Sequence, residues 1–473
     1  MIGRIDEQKE LNRLFDSKES EFLAVYGRRR VGKTYLVRET FDGNFTFCHT
    51  GKSRSGKREQ LIHFQKSLEE YGCDHMAAPQ TWDDAFDRLK RVISDSVSPR
   101  KVVFIDEMPW MDTPRSGFLS ALESFWNEWV SVRKDVLLIV CGSAASWMVK
   151  NLFRNRGGLH NRVTARMRIM PFTLGDCEKY VVERGLAMSR GEIAECYMIL
   201  GGIPYYWRNL RQGLSLSQNV DAMFFREGAP LMDEFREVYK SLFGNAKAYE
   251  AVVSSLATKK VGMTRAEIVA AVGKGVAGNL SVILESLEHS GFIRRYRSLG
   301  KAKRDGVYQL TDGFTLFHFR FLADATSDES FWQSTALSPG RAAWRGLAFE
   351  RLCLQHVRQI RKALGVSGVH VEAYSWRHVA DDTYPEGAQI DLLLDRSDGV
   401  INVCEMKYCS DVFVMDANED AALMRKLAVF KGVTRTRKAV HLTLVTSFGL
   451  MRNAHSGRVQ SEVTLDDLFG APE

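Results

Sequence analysis

The eight residues GRRRVGKT, positions 27–34, restrict what this chain can fold into more than any other stretch. Gly27, Gly32, Lys33 and Thr34 stand in the GxxxxGK[ST] spacing, directly after the apolar run FLAVY and before a helical run. In a strand–loop–helix of this kind the backbone N–H groups of Gly27, Arg28, Arg29, Arg30, Val31 and Gly32 curl around phosphates at a helix N-terminus. Lys33 is then placed to neutralise β- and γ-phosphate charge, and the Thr34 hydroxyl to ligate Mg²⁺. Such a loop hangs from a parallel sheet flanked by helices. Residues 1 to about 240 supply one, alternating FLAVYG, KVVFIDE and VLLIVCGS with longer helical stretches.

The other strands bring further chemistry to the same edge. In VVFIDE, four apolar residues from Val102 to Ile105 carry Asp106 to a strand end, where it can hold Mg²⁺ directly or through water. Glu107 follows as the candidate base for water attack. VLLIVCGS ends at Ser143, a polar tip beside the expected γ-phosphate. Phosphoryl transfer also gains from an arginine that cancels transition-state charge. The segment FRNRGGLHNRVTARMR offers Arg154, Arg156, Arg162, Arg166 and Arg168, some of which will instead be solvated or paired with acids.

Beyond residue 245 the pattern changes. AKAYEAVVSSLA, TRAEIVAAV and NLSVILESLEHSG read as three helices, and FIRRYRS and GVYQLT as a hairpin, the order of a winged helix-turn-helix. Its basic turn, RRYRSLGKAKR, carries six cations and no acid. These can neutralise phosphates without reading sequence, or the module can be a spacer, since Glu285 and Glu288 on the preceding helix suit a major groove poorly. From about 335 a long amphipathic helix leads into QIDLLLD, GVINVCEMKY and AVHLTLVTS, read as strands of a separate α/β domain.

Two features there interrupt apolar patterns. Glu405 and Lys407 share one strand face about 7 Å apart, and Asp391 lies on a neighbouring strand joined by the short turn RSDG. Carboxylates on adjoining strands can grip Mg²⁺ or Mn²⁺. Gly346, Glu350, Cys353, Val357, Ile360 and Leu364 fall on one helix face, which sets Glu350 on an apolar stripe. A carboxylate so buried demands a cation or a hydrogen-bond donor. That partner is either a metal or a salt bridge to Lys407 or an arginine.

Composition excludes little but bounds the rest. A chain of 473 residues, 45% hydrophobic and 26% charged, has room for two to four domains. A formal charge of +7 is compatible with a polyanion without demonstrating one. Eight scattered cysteines without a CxxC pair speak against a disulfide framework and a zinc finger, and are expected to be buried thiols. The charged start MIGRIDEQKE and the lack of a long apolar run lead to an expectation of a cytoplasmic protein with no membrane partner. The isolated His49 and His318 are expected to be structural.

The segments IGRIDEQKELNRL, YGRRRVGKT, FIDEMPWM, CGSAASWM, PFTLGDCEKY and LGGIPYYW occur in this order. Over roughly the first 240 residues the set resembles the archaeal-type ATPase family, within the AAA-like and STAND-like P-loop ATPases. The resemblance implies that Gly3 and Arg4 lie near the nucleotide base, that Pro204 comes from a helical lid, and that Arg162 is the γ-phosphate arginine. Glu350, Asp391, Glu405 and Lys407 resemble the active site of the PD-(D/E)xK nucleases, in the restriction-endonuclease-like domain known as DUF234 that follows this ATPase type. One departure is Ile390, where the pattern has proline before Asp391. The resemblance implies that Asp391 and Glu405 hold a metal, that Glu350 assists, and that Lys407 positions or deprotonates a water.

The expectation is therefore an α/β protein: a P-loop ATPase parallel sheet over 1–175, a helical lid over 176–240, a winged helix over 246–325, and a restriction-endonuclease-like α/β domain over 335–473. ATP binding and hydrolysis with Mg²⁺ would control a Mg²⁺- or Mn²⁺-dependent nuclease acting on nucleic acid, DNA in the first instance, in a chain able to form homo-oligomers. The alternative is a STAND-like oligomerising switch that binds DNA or protein without cleaving it.

Overall fold

Apolar runs that can be buried on both faces form the centre of the first sheet. Val136–Gly142 is buried along its whole length, as the near-continuous hydrophobic run VLLIVCG requires of a central parallel strand. In the computed structural model, which describes residues 1–154, 159, 161–300, 306–323 and 328–471, the chain divides into two compact units, Met1–Pro171 and Phe172–Glu473.

The first unit is built on β1 (Glu21–Gly27), β2 (Phe47–Thr50), β3 (Lys101–Asp106), β4 (Val136–Gly142) and β5 (Ala165–Ile169). All neighbours are parallel and the order is β2-β3-β4-β1-β5. Helices cover its faces. The Trp82–Asp95 helix starts at a capping box, Thr81 with Asp84, and buries Trp82, Ala85, Phe86, Leu89, Val92 and Ile93 at helical spacing. These side chains join Phe22, Phe47, Val103, Ile105 and Leu138 of the sheet in one core.

In the second unit, helices Leu174–Glu183, Arg190–Leu200 and Leu216–Phe224 come first. The helices expected as a lid on the ATPase thus group with the C-terminal half. A buried polar network explains why. Glu195 accepts from Arg341 Nη2 at 2.8 Å and from Arg345 Nη2 at 3.1 Å. Arg341 also donates to the Trp332 carbonyl and lies over the Trp332 ring, while Asp221 accepts from the Trp332 and Gln333 backbone N–H groups at 2.7 and 3.2 Å.

Helices Ala246–Ala257, Arg265–Val272 and Leu280–His289 follow, with β6 (Met263–Thr264), β7 (Ile293–Tyr296) and β8 (Val307–Leu310) in an antiparallel sheet ordered β6-β8-β7. The second large sheet holds β9 (Val371–His378), β10 (Ala388–Arg396), β11 (Val400–Lys407), β13 (Ala439–Thr446) and β15 (Val459–Thr464), ordered β15-β13-β11-β10-β9. β9, β10 and β11 are antiparallel, and β11, β13 and β15 parallel. The Ala417–Thr434 helix lies in the connection from β11 to β13, and β12 (Phe413–Val414) pairs with β14 (Leu450–Met451).

One long helix was expected from about residue 335 onward. The structure has two, Pro339–Gln355 and Val357–Ala363, broken at His356. The imidazole stops the first helix by taking two backbone partners: Nδ1–H donates to the Leu352 carbonyl at 2.8 Å, and Nε2 accepts from the Leu174 N–H at 3.3 Å. Glu350 therefore does not share a continuous stripe with Ile360 and Leu364. The cysteines are all free thiols. Five are buried, while Cys48, Cys73 and Cys409 are half-buried. No helix among the described residues is long and apolar enough to cross a membrane.

Candidate functional site

At the C-terminal edge of the first sheet the loop of residues 27–32 joins β1 to the helix that follows. Gly27 ends β1 with φ +149°, and a Cβ there would stand 2.4 Å from the Ile169 carbonyl oxygen, so only glycine lets the loop pass β5. Gly32, with φ +91°, precedes the Lys33–Thr40 helix. Between them Arg28 and Val31 are buried, Arg29 is half-buried, and half-buried Arg30 has φ +70°.

Lys33 is 5% exposed, and its Nζ donates to the Gly27 carbonyl at 3.2 Å, the Arg28 carbonyl at 2.9 Å and Ser143 Oγ at 3.0 Å. Ser143 passes the connection on. Its Oγ–H donates to Glu107 Oε1 at 2.5 Å and its backbone N–H to Glu107 Oε2 at 3.2 Å. The Lys33 ammonium and the Glu107 carboxylate are thus joined through one hydroxyl. Glu107 sits at φ +46°, a left-handed conformation costly for a glutamate, and its N–H donates to Asp106 Oδ1 at 2.9 Å. Thr34 Oγ1 donates to Asp106 Oδ2 at 2.7 Å. A hydroxyl and a carboxylate at that separation are the hard oxygen donors that Mg²⁺ takes, so the residues fit the ion.

Sequence reasoning saw less of the support behind this edge. Arg4, 6% exposed, donates to the Val31 carbonyl at 3.1 Å and the Met170 carbonyl at 2.8 Å, clamping the loop to the end of β5. Gly51 passes so close to Glu107 that a Cβ would stand 2.7 Å from its carbonyl oxygen. Nothing in a lone glycine after HT signals this. Arg162 lies elsewhere. Ala165 is in register with Leu23 near the start of β1 and Ile169 with Gly27 at its end, so exposed Arg162 belongs to the edge of the sheet opposite the loop. Arg166 stacks on Phe153, 4.5 Å from its centroid, and Arg156 lies outside the described residues. Pro204 opens the one-turn Pro204–Trp207 helix in the second unit.

The C-terminal acids do converge. The register that pairs Leu392 with Cys404 puts Asp391 across from Glu405, and both line a cleft of about 350 Å³ with Glu350, Lys260 and Lys426. Asp391 also borders a larger cleft of about 1130 Å³, with Tyr296, Arg377 and Lys438 on its walls. Each acid is already engaged. Glu350 Oε1 meets Lys260 Nζ at 2.7 Å, Glu405 Oε2 meets Lys426 Nζ at 2.6 Å, and Asp391 Oδ1 accepts from Gln389 at 2.6 Å. Among the described residues, no three His, Cys, Asp or Glu side chains stand together as a ready metal site.

The donor set nonetheless suits a hard cation. Glu350 Oε2 is buried without a hydrogen-bond partner, and burial together with the Asp391 charge raises the Glu350 carboxyl above its ordinary range. Mg²⁺ needs only one or two carboxylates if waters and phosphate complete its shell. Lys407 is not on the cleft wall. Its ammonium pairs with Glu419 and stays 3.5 Å from Glu405 Oε1.

The basic turn is only partly a surface feature. Arg294 Nε donates to Gln309 at 2.7 Å and the guanidinium stacks on Tyr296. Burial, with Arg351 nearby, pulls its pKa down to about 10. Arg295 and Arg297 are exposed, whereas Lys301, Lys303 and Arg304 lie outside the described residues. His49 is structural as expected, buried against Ser67 at 2.9 Å.

Over 396 residues the chain is 24% identical to the uncharacterized protein MJECL04 of Methanocaldococcus jannaschii, covering 83% of each. Among solved structures it is similar to the Walker-type ATPase PABY2304 of Pyrococcus abyssi (16% identity, 68% of this chain and 96% of that one, TM-score 0.46). It is also similar to the ORC2 protein of Aeropyrum pernix in its ADPNP–ADP complexes (13% identity, 72% and 96%, TM-score 0.41). Residues 2–210 match the model of an ATPase domain predominantly from Archaea, a span that continues past Pro171 into the first helices of the second unit. Together with the loop and strand ends described above, that match supports an archaeal-type ATPase domain over residues 2–210.

Proposed function

We propose that this chain hydrolyses ATP at the loop edge of its first sheet and that nucleotide state controls a metal-dependent cleft in its C-terminal half that cleaves nucleic acid. The observation that carries the first half is the Lys33–Ser143–Glu107 chain. A γ-phosphate arriving at Lys33 takes the ammonium from Ser143, and the serine is then free to turn its hydroxyl to the phosphate. That releases Glu107 to orient a water, accept its proton as the water oxygen bonds to phosphorus, and hand the proton on as the bond to ADP breaks. Thr34 and Asp106 would hold Mg²⁺, whose charge offsets that on the β- and γ-oxygens. Arg162, at the opposite sheet edge, suits the γ-phosphate of a neighbouring copy rather than its own, which favours a homo-oligomer.

The second half rests on Asp391 and Glu405 facing each other on adjacent strands beside the buried, unpartnered Glu350 oxygen. Asp391 and Glu405 would hold Mg²⁺ or Mn²⁺, which supplies an acidified water and charge for the phosphate. The larger cleft that reaches Asp391 gives a polymer a path, and the helices and small sheet of residues 246–310, taken as a winged helix, would present Arg295 and Arg297 to its backbone. In the full chain Glu107→Gln should keep ATP binding and lose hydrolysis at least about 100-fold. Glu405→Ala should abolish Mn²⁺-dependent cleavage of plasmid, single-stranded DNA or RNA and leave ATPase rates intact. Unchanged hydrolysis in Glu107→Gln would remove it as the base.

One observation favours a second reading, a switch that binds without cutting: Lys260 and Lys426 already neutralise two of the acids. ATP-dependent assembly with no cleavage of any nucleic acid by the wild-type chain would select it.

A further inference from the structure

The cleft needs a cation that can meet a phosphate, and the strand lysine is poorly placed to be it. Lys407 follows Glu405 by two residues, yet its ammonium is drawn to Glu419 in the first turn of the Ala417–Thr434 helix. Seven residues on, two turns along the same helix face, Lys426 reaches over β11 to Glu405 Oε2 at 2.6 Å and lines the cleft with Asp391 and Glu350. The helix thus shares one lysine with Glu405, at 3.5 Å from Oε1, and supplies a closer one at Oε2. Both partners are largely shielded, with 25% of the Lys426 and 18% of the Glu405 side chain exposed, so the pair is held in place rather than fluctuating in solvent.

We propose that Lys426, not Lys407, is the functional lysine of this cleft, and that it has two positions. Without a divalent ion its ammonium occupies the cation position at Glu405 Oε2. When an ion binds Asp391 and Glu405, the ammonium is displaced into the cleft, where it faces the phosphate. This rests on the metal-dependent reading of the cleft given above. It also accounts for Glu405 being neutralised without an ion, since the competing cation is built into the crossover helix.

The test uses the full chain and two readouts, Mn²⁺ binding followed by the electron paramagnetic resonance of the free ion, and plasmid cleavage. Lys426→Met should bind Mn²⁺ about tenfold more tightly, its internal competitor gone, and cleave at least about 100-fold more slowly. Lys407→Met should match the wild type in both within about threefold. Lys426→Arg, which keeps charge and packing, should hold Mn²⁺ affinity near the wild type and guards against a misfolded methionine variant. The proposal is overturned if Lys426→Met leaves Mn²⁺ affinity unchanged, or if Lys407→Met reproduces both effects. A wild-type chain that binds Mn²⁺ but cuts nothing would defeat cleavage alone, and the Lys426→Met affinity would still decide whether this lysine competes for Glu405.

Discussion

Gly27 shows how tightly single residues are determined at the loop edge. A methyl group there would collide with the Ile169 carbonyl at 2.4 Å in a backbone conformation that L residues avoid. Gly27→Ala should therefore destabilise the first unit by roughly 2–4 kcal/mol and weaken ATP binding together, read by urea unfolding and by titration of a fluorescent ATP analogue. Lys33, Thr34, Asp106 and Ser143 were legible in the sequence because strand-end position and motif spacing leave them one place to go. Arg4 as a clamp on Val31, the Ser143–Glu107 hydrogen bond and the Lys426–Glu405 pair were not. Each joins residues far apart in the chain through a particular rotamer, which no local pattern encodes. The salt bridge expected from Glu350 to Lys407 or an arginine is made to Lys260 instead, while Lys407 pairs with Glu419 and lies 3.5 Å from Glu405.

The core strands were readable where they were near-continuous apolar runs. The runs FLAVY, VVFID and VLLIVCG became β1, β3 and β4, and QIDLLLD and VINVCEMK became β10 and β11. β6 escaped notice because two residues carry no periodicity, and the break at His356 because its cause is a partner at Leu174, remote in sequence. That break has a pH signature. Burial lowers the His356 pKa to about 4, whereas the unfolded side chain titrates near 6.5. Above about pH 6.5 both states are neutral and the stability is fully present. As pH falls toward about 4 the unfolded chain gains a proton the folded one refuses, so stability drops by up to about 3 kcal/mol. Buried His49, lowered to about 3 by the same cause, adds the same trend in the first unit. Urea midpoints should fall between pH 7.5 and 5, and His356→Gln should flatten the part of the decline that belongs to the second unit.

At the scale of the molecule, the boundary lies between Pro171 and Phe172, some seventy residues before the end of the ATPase-like sequence pattern. Segment composition could not reveal this, because helices of a lid and helices of a neighbouring domain look alike until their buried partners are known. Those partners are Arg341 and Arg345 on Glu195, and Trp332 and Gln333 on Asp221. Arg341→Ala would leave a carboxylate buried against one remaining arginine, and should lower the stability of the second unit by about 3–5 kcal/mol in a thermal melt of the whole chain. ATP affinity measured at low temperature should change far less.

The Glu195 network also decides where this polypeptide can be shortened. Scissors applied at residue 240, the limit suggested by motif content, would strand Glu195 and Asp221 inside a fragment lacking the Arg341, Arg345, Trp332 and Gln333 groups that hydrogen-bond their carboxylates. Scissors applied at 171 would sever no part of that network, so such a cut leaves both carboxylates and their partners on one fragment.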